Sequence, residues 1–226
     1  GGELKMTSGT NQCVYLNGTF NMSGGKIVSS GAGVYIRQDS ELNVSGDAVI
    51  QSSFSQYGAI YVDGDEDAPA IVNITGGTVE STNNYCSAIT STSSSYGEIS
   101  ISGGSIKTAN NRAVFNFESS TNEVAISGGT FSSSVKQYLP EGSVLTQDED
   151  GKVIVDKTKT AVVAINGVGF TSMGAAIKAV GDGGTITVLQ NITDAVGIAV
   201  DSGKNFTIDF AEFDYILVGP GAGSSG

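Results

Sequence analysis

The chain has no histidine and no tryptophan, and only three prolines, two cysteines and two arginines, Arg37 and Arg112, among 226 residues. Without histidine there are no His-based catalytic triads, and most zinc sites are excluded. Basic residues are scarce as a class, 11 against 23 acidic, which leaves a formal net charge of −12. Such a chain repels phosphate backbones and anionic headgroups, so neither nucleic acid nor membrane is expected as a partner. No apolar run reaches the roughly 18 residues of a membrane helix, and there is no signal-peptide or lipidation pattern. Membrane insertion is therefore not expected. The chain opens in mid-repeat, so it is expected to be an excised piece of a longer parent, and missing targeting signals carry little weight.

What the chain has in abundance is glycine, 32 residues with no three-residue period. That excludes collagen and fits a corner-rich β fold. A mean hydropathy of +0.05, with apolar residues at regular spacing, excludes a disordered chain.

The glycines belong to a repeated phrase. Glu98-Ile99-Ser100-Ile101-Ser102-Gly103-Gly104-Ser105-Ile106 has counterparts at 20–27, 42–49, 72–79 and 124–131, and a truncated copy at Gly1–Leu4. Leading glycines stand at 1, 24, 46, 76, 103 and 128, a drifting period in the twenties that signals a solenoid. Apolar and polar residues alternate with period 2, so each copy is strand. The pairs Phe20/Met22, Leu42/Val44, Val72/Ile74, Ile99/Ile101 and Val124/Ile126 precede each glycine. Leu4, Ile27, Val49, Val79, Ile106 and Phe131 stand three places after it. Each column is expected to form a buried stack, with glycine at the corner where the backbone turns sharply. A further strand per coil carries Val14, Val34, Ile60, Ile89 and Val114 inward. Each coil buries four or five aliphatics, worth about 1.5–3 kcal/mol apiece before ordering entropy. A single coil could not hold alone, but a stack can. In this register Cys13 and Cys86 lie three rungs, roughly 14 Å, apart. That is too far for a disulfide, so both are expected to be free, small and mostly buried.

The predicted organisation is 1–139 as parallel β-helix coils, 140–157 as a capping hairpin and linker, and 158–226 as a second unit. The hairpin is expected from Ser143–Thr146 and Lys152–Val155 around Asp150-Gly151. In 158–226 an amphipathic helix over about 171–180, capped by Thr171 or Ser172, turns Met173, Ala176, Ile177 and Val180 to one side. Strands are expected at Val162–Ile165, Thr185–Leu189, Ile198–Val200, Phe206–Phe210 and Tyr215–Val218, with a step of 20 residues from Ile186 to Phe206.

Ile126-Ser127-Gly128-Gly129-Thr130-Phe131, then Tyr138-Leu139-Pro140-Glu141-Gly142 and Asp150–Val155, resembles the closing module of large secreted or wall-attached proteins of gut bacteria. Ala175-Ala176-Ile177, Gly181–Leu189 and Phe206–Phe210 are similar to their opening module. Both resemble the pectin-lyase-like superfamily. The resemblance implies an all-β, right-handed parallel β-helix with a hairpin cap and the helix-capped start of a second unit. It implies an extracellular or cell-wall-attached bacterial location. A closing module before an opening one leaves uncapped coils near Gly1 and Gly226, which are expected to associate end to end.

The superfamily spans lyases, hydrolases, tailspikes and adhesins, so chemistry must come from residues. A lyase needs a Lys or Arg base, often with calcium held by carboxylates. No acid cluster shares a coil face with Arg37 or Arg112. Galacturonan hydrolases of this fold carry histidine and Arg-x-Lys features that this chain lacks. Glu80 with Glu98, or Asp39 with Asp63, could supply two carboxylates, but nothing singles them out from solvated surface acids. No catalytic residue is expected.

Asp63, Asp65 and Asp67 resemble the start of a calcium loop, but Ala68 and Ile74 break the full pattern. They read as a weak extracellular Ca2+ site or as a solvated acidic loop. Asp148, Glu149 and Asp150 form a lesser version. Asn-x-Ser/Thr occurs at Asn17, Asn21, Asn43, Asn73, Asn191 and Asn205. The repeat places Asn21, Asn43 and Asn73 in one outward column, an asparagine ladder. Another outward column is Tyr15, Tyr35, Tyr61, Thr90 and Phe115. Its rings either take the apolar faces of sugars or pack on one another.

The expected function is a non-catalytic surface adhesin or stalk touching host or dietary glycan or a host surface protein. The rivals are a polysaccharide lyase or glycoside hydrolase, and a purely structural spacer.

Overall fold

The computed structural model describes residues 1–118, 121–139, 141–144, 146–147, 153–154 and 161–219. The chain divides into two compact units, 1–138 and 139–226.

The first unit winds through three strands per coil. Coil one is β1 (Glu3–Met6), β2 (Gln12–Leu16) and β3 (Thr19–Met22), and coil two is β4 (Lys26–Ser29), β5 (Ala32–Arg37) and β6 (Glu41–Val44). Coil three is β7 (Val49–Ser52), β8 (Ile60–Asp63) and β9 (Ala70–Ile74). Coil four is β10 (Thr78–Ser81), β11 (Ile89–Ser91) and β12 (Gly97–Ile101). Coil five is β13 (Ser105–Thr108), β14 (Phe115–Phe117) and β15 (Asn122–Ile126), and β16 (Thr130–Phe131) opens a sixth. Equivalent strands pair in parallel, giving sheets β1-β4-β7-β10-β13-β16, β2-β5-β8-β11-β14 and β3-β6-β9-β12-β15. This is a parallel β-solenoid.

The inward columns follow the repeat. Met22, Val44, Ile74, Ile101 and Ile126 are in register, as are Phe20, Leu42, Val72, Ile99 and Val124. Alternation fixes this register, because a slip of one residue would turn every apolar side chain to solvent. A column of hydroxyls, Ser29, Ser52, Ser81 and Thr108, is also buried at the end of the first sheet's strands.

One corner departs from uniform spacing, and one inward column is carried by a different residue than expected. The inward partner of Ile27 and Val79 is Ile50, not the expected Val49. The corner holds one extra residue. Gly46 takes the left-handed turn at φ 55, and Ala48 is tucked inside where its N–H donates to Ser45 O at 3.2 Å. In the other copies the second glycine makes the turn, as Gly77 does at φ 77. In coil five the inward place falls on Phe115 rather than the expected Val114: the Ile89 N–H donates to Val114 O at 3.0 Å as the Ile60 N–H does to Ala88 O at 3.1 Å, so Val114 stands level with Ala88 and Ala59. Ile89 therefore pairs with Phe115.

Among the described residues the second unit is a mixed sheet with one α-helix. Its strands are β17 (Ser143–Val144), β18 (Thr146–Gln147), β19 (Val153–Ile154), β20 (Val163–Ile165), β21 (Val168–Phe170), β22 (Gly184–Val188), β23 (Ile192–Ala195), β24 (Phe206–Asp209) and β25 (Tyr215–Leu217). The main sheet runs β17-β21-β20-β22-β24, and β22 pairs β24 in parallel. The pairing of β18 with β19 is antiparallel, as the expected hairpin requires. Its turn, with Asp148, Glu149 and Asp150, lies outside the described residues, as does Gly226.

Helix α1 (Met173–Ala179) forms where expected and buries Met173, Ala176 and Ile177 against Val163, Phe170, Ile186 and Val188. Ser172 is the cap, accepting the Ala175 N–H at 3.1 Å. At the other end the Lys204 ammonium donates to the carbonyls of Ile177, Lys178 and Val180 at 2.8, 3.1 and 3.2 Å, satisfying groups that lack intrahelical partners. Three sequence expectations need correction. Ile198–Val200 is not a strand; Ile192–Ala195 is, paired with Tyr215–Leu217. Ile186 pairs with Ile208, a step of 22 residues rather than 20. Val163–Ile165 and Val168–Phe170 form a two-residue hairpin on Asn166-Gly167, both at positive φ.

Candidate functional site

Tyr15, Tyr35 and Tyr61 do share one column, paired across β2, β5 and β8. Their rings stack: Tyr15 on Tyr35 at 5.4 Å and 14°, Tyr35 on Tyr61 at 4.8 Å and 31°. The column sinks as it climbs, from Tyr15 at 50% exposed to Tyr61 at 7%. Tyr61 is covered by Tyr57, edge-on at 4.7 Å, so it offers no face to a ligand. Phe115 is not in the column at all. The regular register puts Asn116 there and Phe115, level with Ile60 and Ile89, in the core, 3% exposed, against Tyr138 at 4.8 Å.

Loop lengths turn this column into a cleft. Between the first and second strands of a coil, coil one carries residues 7–11 and coil three carries 53–59, but coil two carries only 30–31. Two longer loops thus flank a gap above coil two, and Tyr35 forms part of its wall. The cleft has a volume of about 390 Å3. Its aromatic wall is Tyr35, Phe54 and Tyr57, with Phe54 and Tyr57 in contact at 5.4 Å. Its polar wall is Thr10, Asn11, Gln12, Ser55 and Gln56. The loops are tied down: Ser30 Oγ donates to Gly9 O at 3.0 Å, and Ser52 Oγ accepts the Phe54 N–H at 3.1 Å. Phe54 and Tyr57 escape a search for columns because they stand on a loop. The readable signal was the shortest repeat, 24 to 46, beside the longest, 46 to 76.

Asp63 anchors the other side of Tyr35. Its Oδ2 accepts the Tyr35 hydroxyl at 2.7 Å and Arg37 at 2.8 Å. That carboxylate is committed, and among the described residues no group of three His, Cys, Asp or Glu is placed to hold a metal ion. The expected calcium trio therefore does not assemble. Asp65 and Ala68 instead close a small bridged turn. Glu80 and Glu98 lie on different sheets, with Glu80 accepting from Gln51 at 2.8 Å. The asparagine ladder is present: Asn43 donates to Asn21 and Asn73 to Asn43, each at 2.9 Å. Both cysteines are free, and burial pushes the Cys86 thiol pKa up.

Burial, and then the hydrogen bond to Asp63, push the Tyr35 hydroxyl well above the usual tyrosine range, and burial raises Tyr61. A raised folded-state value means stability is fully present below the unfolded value, about pH 10, and is lost as pH rises beyond it. The melting temperature is therefore expected to hold to about pH 9 and fall above about pH 10. The phenolate absorbance of Tyr35 and Tyr61 should lag until unfolding, and Tyr35→Phe should flatten the fall. Loss of the Tyr35→Phe difference spectrum's lag, with Tyr35 ionising near pH 10 and an unchanged melting temperature, would contradict this account.

Comparison with protein-family models, curated proteins and solved structures returned no match. Function must therefore be argued from the solenoid and its cleft.

Proposed function

We propose that this chain is a non-catalytic module of a bacterial surface or secreted β-helix protein, of pectin-lyase-like type, that presents a glycan-binding cleft as an adhesin or stalk. The observation that supports it most is the pairing of an aromatic wall with exposed side-chain amides and hydroxyls in one concave site. Rings cover the apolar C–H face of a sugar, and amides both donate and accept for its hydroxyls. A volume of about 390 Å3 is at the small end of ligand pockets, room for about one or two sugar units. The spacer reading has its own support, since the Tyr15–Tyr35–Tyr61 faces are used against each other.

The test is binding to immobilised host and plant glycans by the chain and by a Tyr35→Ala/Tyr57→Ala double variant with the same circular dichroism. At least tenfold weaker binding in the variant is expected, about 1.4 kcal/mol. Binding by neither protein leaves the spacer reading. Equal binding by both moves the site away from the cleft.

A further inference from the structure

Resting on that glycan reading, we infer that the cleft takes uncharged sugar units and rejects uronate, sulfated and sialylated chains. No Asp, Glu, Lys or Arg lines it. An anionic sugar is held tightly only by a charge-assisted partner, and a carboxylate moved out of water without one loses far more than a hydroxyl does. Arg37 stands two residues beyond Tyr35 on the same strand, and its charge is already spent. Arg37 Nη1 lies 2.8 Å from Asp63 Oδ2, the same oxygen that takes the Tyr35 hydroxyl. Freeing Arg37 for a ligand would strand that carboxylate, only 25% exposed, without its counter-charge. The net charge of −12 adds a long-range repulsion against any polyanion.

What the cleft does offer suits neutral hydroxyls. Asn11, Gln12 and Gln56 each carry an amide that donates and accepts, and Thr10 and Ser55 carry hydroxyls free to rotate. The rings of Phe54 and Tyr57 touch each other rather than facing across a gap, so they form one wall against which a sugar ring can lie.

The experiment is calorimetric titration of the whole chain with neutral oligosaccharides from mannan, xylan, galactan and mixed-linkage glucan, and with oligogalacturonate and heparin fragments, from about 0.05 to about 0.5 M salt. Binding of one or more neutral oligosaccharides is expected, with affinity changing less than about twofold over that salt range, and none to the charged ones. Tyr57→Ala should weaken it at least tenfold. Tighter binding of a charged oligosaccharide, or affinity that collapses with salt, would overturn the inference while leaving the glycan reading standing. Heat from no sugar in either class would overturn the glycan reading beneath it. Neutral binding that survives Tyr57→Ala would place the sugar elsewhere and overturn the assignment to this cleft.

Discussion

Ile50→Asp is expected to unfold the solenoid around its third coil, whereas Val49→Asp should leave it standing. Ile50 is fully buried between Ile27 and Val79. Removing it forfeits about 1.5–3 kcal/mol of apolar burial. The new carboxyl would be held neutral by its surroundings and still lack a partner, which adds about 2 kcal/mol or more. A total near 5 kcal/mol rivals the whole stability of many domains. Solenoid coils are coupled only to their neighbours, so a failed third coil also disconnects coils two and four. Val49 is half-buried on the outer face, aligned with Lys26 and Thr78. An acid beside Lys26 should change stability by no more than about 0.5 kcal/mol. Thermal and urea unfolding followed by circular dichroism would separate the two. If Val49→Asp proved the damaging one, the extra corner residue at Gly46–Ala48 would have to be abandoned and the uniform register restored.

That contrast marks how far the sequence could be read. Alternation around the glycine pairs carries the coils, the inward columns, the asparagine ladder and the free cysteines, because a period of 2 with one buried face admits a single register. It cannot count residues through a corner. Gly46-Asp47-Ala48 imitates the Gly-Gly-x of its neighbours while holding one residue more, and Val114-Phe115 offers two apolar residues to one inward place. Both errors displaced a side chain from face to face, and one of them made Phe115 a false member of the tyrosine column. Asn166-Gly167 is a two-residue hairpin signal that the strand pattern of Val162–Ile165 alone does not reveal. The polar stretch Ile192–Ala195 gave no such signal; its pairing with Tyr215–Leu217 is decided by tertiary contact. For the candidate site, Tyr35 was readable from the column. Phe54, Tyr57 and the polar wall were not, because periodicity says nothing about how a loop folds.

Gly31→Ala is the substitution expected to connect the fold to the cleft. Gly31 forms the tight two-residue connection of coil two, and a Cβ there would overlap the carbonyl oxygen of Asn11 and lie 2.9 Å from Met6 Cε. The glycine cannot retreat, since its carbonyl accepts from Ser52 Oγ at 2.7 Å and its N–H donates to Ser29 Oγ at 3.1 Å, both bonds buried. Loop 7–11 must yield instead, and with it Thr10, Asn11 and Gln12 of the polar wall. The expected loss of stability is about 1–3 kcal/mol, as for other overpacked sites. Affinity for a neutral oligosaccharide should fall about tenfold, or about 1.4 kcal/mol, although the variant leaves every lining side chain chemically intact. Gly2→Ala is the control, because a Cβ at that position meets nothing within 4 Å. Its melting temperature and affinity should both match the parent. A Gly31→Ala protein that melts early yet binds normally would remove loop 7–11 from the site and leave the aromatic wall to bind alone. Loss of both together would mean that the close approach of coil one to coil two, which only glycine permits, is what holds the cleft in shape.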